Sequence, residues 1–154
     1  MSTDLPMTDL PLYGSGDSTY QSVGGLEGIT QLVDRFYDLM ESLPEAKALR
    51  EMHPQDLTGS RQKLVYFLSG WMGGPKLFAE HFGSISLPVA HAHLPVDRDS
   101  KAMWLHCMAT ALEQLGYPLE LRDYLVAKFE TPAESIRLMA EFEQGKKQQP
   151  GTGL

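Results

Sequence analysis

The chain has 154 residues, 42 % of them hydrophobic and 21 % charged, with a formal net charge of −7 and one cysteine. That length holds one domain with a core of its own. The acidic balance speaks against a nucleic-acid partner, and no apolar run reaches the roughly 20 residues of a membrane span. The lone Cys107 leaves no internal disulfide and fits a reducing, cytoplasmic setting, and the acidic, polar start carries no secretory leader pattern.

Residues 1–24 hold Pro6, Pro11 and several Gly and Ser, and read as a polar, flexible extension that Gly24-Gly25 ends. Tyr13 and Tyr20 are the side chains available to pin it. From 26 to 43, Ile29, Leu32, Val33, Phe36, Tyr37, Leu39, Met40 and Leu43 fall at helical spacing, with Asp34, Arg35 and Asp38 opposite. Pro44 stops this helix and opens a short one, and Pro54 makes a turn at His53. Asp56 or Thr58 caps the next helix, whose apolar face is Leu57, Leu64, Phe67, Leu68 and Trp71, and Gly73-Gly74 ends it. Pro75 starts a short helical piece to about Phe82. Gly83, Pro88 and Pro95 keep 83–96 mostly irregular, with one helical turn before His93. Asp97 or Asp99 caps a long helix to Leu115 that turns Met103, Trp104, Cys107, Met108, Ala111 and Leu112 inward, and Gly116 stops it. Pro118 begins the last helix, which Pro132 is expected to break or kink. Residues 143–154 read as a loose tail. No stretch reads as a strand, so the fold class is all-α, with the domain over 25–142.

Five histidines are the candidates for chemistry. His91 and His93 stand two apart, but no sheet displays them together and no carboxylate cluster adjoins them, which disfavours a zinc hydrolase. His93 lies on a short constrained segment facing a helix that carries Trp104, an arrangement suited to a flat iron cofactor. Tyr37, Trp71 and Trp104 also read as plain core residues, and Cys107 as an inert buried thiol. No P-loop, glycine fingerprint or defensible Ser-His-Asp order is present. Three readings stay open on the residues alone: an iron cofactor on His93, a cofactor-free helical interaction module, and a non-haem metal site at His91 and His93.

The pieces taken together resemble a group II truncated haemoglobin. They are Arg35-Phe36-Tyr37, His53-Pro54, Asp56-Leu57, Lys63-Leu64, Phe67-Leu68, Gly73-Gly74-Pro75, His93 with Pro95, and Trp104-Leu105-His106-Cys107-Met108. The resemblance runs from Gly24 to Met139, and the order and spacing of Tyr37, Gly73-Gly74-Pro75, His93 and Trp104 are its specific part. It implies a two-over-two helical sandwich around haem b, with His93 as the iron's metal ligand on the proximal side. Tyr37 matches the family's distal tyrosine, Trp104 the tryptophan of groups II and III, and His53 the pocket edge. Ser60 and Leu64 match distal helix positions over the haem, and Phe36, Phe67 and Leu68 the pocket region. Val89-Ala90-His91-Ala92 replaces the basic run common before the proximal histidine, so Lys76 and Arg98 become candidate propionate partners.

The resemblance further implies a protein that binds dioxygen, carbon monoxide, nitric oxide or peroxide. Tyr37, Trp104 and His53 would stabilise the ligand by donating hydrogen bonds, each worth about 1.5–3 kcal/mol where the acceptor is charged. Slow release suits scavenging, sensing or redox chemistry better than bulk oxygen transport. Peroxidase-like or nitric oxide dioxygenase-like activity, served by an unidentified reductase, belongs to the same expectation.

Overall fold

The computed structural model describes residues 13–148, and within them the backbone is helix and turn. A short helix α1 (Ser18–Val23) passes through Gly24, at φ 108°, into α2 (Gly25–Ser42). The left-handed backbone at this corner is the conformation that glycine adopts without a Cβ penalty. Ile29, Leu32, Val33, Phe36 and Met40 form one fully buried face of α2, as their spacing predicts. Each such side chain removed from water contributes about 1.5–3 kcal/mol.

Pro44 ends α2 as expected; a single 3₁₀ turn (Pro44–Ala46) then leads into α3 (Lys47–Glu51). The turn that follows carries His53. Asp56 accepts hydrogen bonds from the N–H and hydroxyl of Thr58, at 3.0 and 2.8 Å, where α4 (Thr58–Trp71) begins. Two short helices come next, α5 (Leu77–Phe82) and α6 (Leu87–His91). Of the two proposed caps for the following helix, Asp97 fills the role. Its Oδ1 accepts from the Ser100 N–H at 2.8 Å at the start of α7 (Arg98–Gln114). Gly116, at φ 80°, turns the chain into α8 (Leu119–Gln148).

The packing makes two pairs. α2 lies on α4, α7 lies on α8, and α2 crosses onto α7, which gives the two-over-two sandwich; α6 is laid against α8. No described helix is long and apolar enough to cross a membrane.

The structure departs from the expected layout in three places. α8 runs unbroken through Pro132, because its packing on α6 and α7 outweighs the one backbone donor that proline lacks. It also continues past 143 to Gln148, over part of the expected tail; residues 149–154 lie outside the described ones. Of the expected extension, residues 1–12 lie outside the described ones as well, while residues 13–23 are held to the domain. Tyr13 meets Tyr124 with ring centroids 5.0 Å apart, and the Tyr20 N–H donates to the Met72 carbonyl at 3.0 Å. Gly73 and Gly74 make that contact possible. A Cβ on the first would run into the Gly16 carbonyl, and one on the second into the Tyr20 ring.

Candidate functional site

The α2–α7 crossing brings the predicted aromatics together. The Phe36 ring, fully buried, meets Tyr37 on one side and Trp104 on the other, each with centroids 5.0 Å apart. Trp104 meets Phe129 of α8 at 5.3 Å, and Phe129 stacks on Trp71 at 4.6 Å and 14°. A continuous row of rings thus joins α2, α7, α8 and the end of α4. Trp71 was read from the sequence as an apolar helix-face and core residue, and Phe129 was not singled out. Their spacing on separate helices holds no signal that they stack.

Tyr37 is only 5 % exposed, and burial pushes its phenol up to about 12 against the opposing field of Arg61. It therefore stays protonated, and a donor, across the neutral range. Neither the Tyr37 hydroxyl nor the Trp104 indole N–H has a hydrogen-bond partner among the described residues. No fully buried polar side-chain atom among those residues lacks a partner. Both donors must then open onto space that a small molecule can reach. This departs from the plain expectation of a core tyrosine bonded to backbone.

His53 lies half-buried, edge-on to Tyr37 at 5.7 Å. Its Nδ1–H donates to the Leu49 carbonyl at 3.0 Å, which leaves Nε2 as the free ring atom. Leu64 and Phe67 of α4 are half-buried against the core, Ser60 is half-exposed, and Leu68 is sealed within the core.

The two histidines around α6 differ. His91, at the end of α6, is half-buried, and its Nδ1–H donates to the Leu87 carbonyl at 2.7 Å. His93, in the turn between α6 and α7, is exposed and makes no hydrogen bond among the described residues. A carbonyl tether on the far ring nitrogen is common among metal-bound imidazoles, so His91, two residues before His93, keeps a claim to the role. Among the described residues no group of three or more His, Cys, Asp or Glu is placed to hold a metal ion. That leaves the non-haem site at His91 and His93 short of ligands.

A groove of about 190 Å³ lies between α4 and α5, lined by Tyr66, Phe67, Trp71, Phe78 and Ile85, with Lys76 at its rim. Large apolar side chains stay in contact with solvent around it: Phe82 is 46 % exposed, Ile85 38 % and, on α6, Val89 65 %. Exposed apolar area of this kind marks a surface that another apolar body covers. A larger cavity, about 490 Å³, lies between residues 14–19 and α8 and carries none of the predicted site residues.

These residues fit haem. The macrocycle supplies four nitrogens of its own, so one imidazole from the protein completes a useful iron site. The groove between α4 and α5 carries Phe67 alone of the predicted pocket residues, and Lys76 on its lining, which has no ion-pair partner among the described residues, suits a carboxylate. Cys107 is no ligand candidate, since burial pushes its thiol up to about 11.

The sequence pattern of the bacterial-like globins matches residues 18–137. The chain is 33 % identical over 129 residues to the group 2 truncated hemoglobin YjbI of Bacillus subtilis (strain 168), covering 84 % of this chain and 95 % of that one. Two solved structures superpose on it, each at a TM-score of 0.74. One is the cold-adapted truncated hemoglobin of the Antarctic marine bacterium Pseudoalteromonas haloplanktis TAC125, 36 % identical over 77 % of this chain and 95 % of that one. The other is the group II 2-on-2 hemoglobin of the plant pathogen Agrobacterium tumefaciens, 34 % identical over 77 % of this chain and 92 % of that one.

Proposed function

The chain belongs to the bacterial-like globin family as a group II truncated haemoglobin, and on that footing we propose that Tyr37 and Trp104 together retain its small ligand by donating to it. The family binds haem and, through it, small diatomic ligands such as dioxygen, which sets aside a cofactor-free interaction module. We take the haem to be haem b. When bound, haem supplies an iron that takes up a diatomic gas and draws negative charge onto the gas's outer atom.

The observation that carries the reading is that the Tyr37 hydroxyl and the Trp104 N–H have no hydrogen-bond partner among the described residues and both open onto space that a small molecule can reach. A ligand that accepts from such a donor gains roughly 0.5–1.5 kcal/mol for a neutral hydrogen bond and about 1.5–3 kcal/mol where it carries charge. Trp104 can only donate, so it favours a ligand that accepts. Phe36, wedged between the two rings, holds both in place. His93 would hold the iron through its imidazole, Phe67 and Leu64 would belong to the wall, and Lys76 would suit a propionate. His53 closes the edge beside Tyr37. A protein built to retain its ligand serves scavenging, sensing or redox chemistry on oxygen, peroxide or nitric oxide. A reducing cytoplasm, which also supplies a reductase, is the setting proposed.

The assignment of the axial ligand is tested by absorption spectra of the ferrous protein and its carbon monoxide complex. His93→Gly is expected to lose the wild-type spectrum and regain it with added imidazole. His91→Ala is expected to keep it. The reverse pattern would transfer the role to His91, whose tether to Leu87 equips it for the task.

A further inference from the structure

Arg61, on the first turn of α4, was assigned nothing from the sequence. Its guanidinium carbon lies 5.6 Å from the centroid of the Tyr37 ring. Nη1 donates to Asp34, to the backbone carbonyl at 3.1 Å and to Oδ1 at 3.2 Å, while Nη2 donates to Asp38 Oδ1 at 2.9 Å. Glu41 stands 3.6 Å from Nη2. All three acids rise from one edge of α2, next to Tyr37, so the carboxylates hold the cation where it covers the phenol. Arginine suits the position, because a planar fork can bind two carboxylates and still present a flat face to a ring.

We propose that Arg61 is a positioning residue for Tyr37, its guanidinium over the phenol ring setting how strongly the hydroxyl donates to the ligand. The inference rests on Tyr37 facing that ligand, as proposed above. A cation on the π face draws electron density from the ring and makes the O–H a stronger donor. The same field opposes the rise that burial imposes on the phenol's acidity. Asp34, Asp38 and Glu41 partly cancel the cation, so they set the size of its effect as well as its place.

A plain structural role is the competing account: Arg61 would merely clamp α4 to α2. The two accounts separate by sign. Removing the cation with Arg61→Met weakens the donor, whereas Asp34→Asn with Asp38→Asn removes the counter-charges but keeps an acceptor oxygen for each guanidinium hydrogen bond, so Arg61 stays over the ring and the donor strengthens. A simple clamp is loosened by either change, and both would then shift the pocket the same way. The readout is the infrared stretch of carbon monoxide bound to the ferrous protein, which a stronger nearby donor lowers. Thermal melts of each variant confirm that it is folded.

Arg61→Met is expected to raise the stretch toward the Tyr37→Phe value and to speed oxygen release by about two- to five-fold, the range a cation–π contact supports. The Asp34→Asn, Asp38→Asn variant is expected to lower the stretch and to slow release. Shifts of the same sign, or no shift in either, would overturn the assignment. If Tyr37→Phe leaves the stretch unmoved, the ligand-facing role of Tyr37 fails and the Arg61 role fails with it. A shift in Tyr37→Phe without the opposed pair removes Arg61 alone.

Discussion

The His53 ring stands edge-on to the Tyr37 ring, with centroids 5.7 Å apart and an interplanar angle of 80°. This places a titratable imidazole directly beside the proposed donor. Burial is the main reason its pKa lies below the usual histidine value; the neighbouring Arg50 and His91 act in the same direction, and the Leu49 carbonyl partly opposes them.

His53 should therefore be neutral at pH 7 and above, and a pH response should sit on the acid side. Between its depressed value and about 6.5 the unfolded chain binds more protons at this residue than the folded one. Its contribution to stability is thus complete above about pH 6.5, declines as the pH falls through that value, and levels off below the folded-state value. Thermal midpoints between about pH 7.5 and 5 are expected to fall further in the wild type than in His53→Phe. Oxygen release should be flat above neutrality. Parallel melting curves for the two proteins would remove this role.

Tyr37→Phe and Trp104→Leu each delete one unpartnered donor. A hydrogen bond to a partly charged acceptor is worth about 1.5–3 kcal/mol, so each change should speed oxygen release by about ten- to a hundred-fold. Both donors pack on Phe36 and should act on one ligand. Their combined effect is then expected to differ from the product of the single effects. Stopped-flow release rates within two-fold of wild type in both single variants would contradict the donor pair.

Gly73 has φ 92°, and a Cβ there would run into the Gly16 carbonyl. Gly73→Ala is expected to cost about 1–3 kcal/mol through backbone strain, with the close contact adding to it. Gly59, within α4, has nothing within 4 Å of its missing Cβ. Gly59→Ala should stabilise by about 0.5–1 kcal/mol, since alanine is the better helix former. Urea unfolding of both variants gives the comparison. Equal midpoints would mean that residues 14–20 are not seated on the Gly73-Gly74 turn.

The helices were legible because their causes are local. Seven large apolar residues at helical spacing in α2 define its buried face wherever the chain is placed, and Pro44, Gly73 and Gly116 stop helices through their own backbone chemistry. The order of Tyr37, Gly73-Gly74-Pro75, His93 and Trp104 also pointed to the family that the comparisons show. Tertiary packing decided the rest. Pro132 stays inside α8, where Lys101 of α7 donates to Glu130 and Glu134 on either side of it. The hydroxyl of Tyr37 is unpartnered because nothing on α4 or α7 reaches it. Arg61 covers Tyr37 only because α4 lies across α2, which brings together residues 24 positions apart along the chain. Periodicity along a chain states which face is apolar, but which donor lacks a partner depends on distances across helices, and only the folded arrangement sets those.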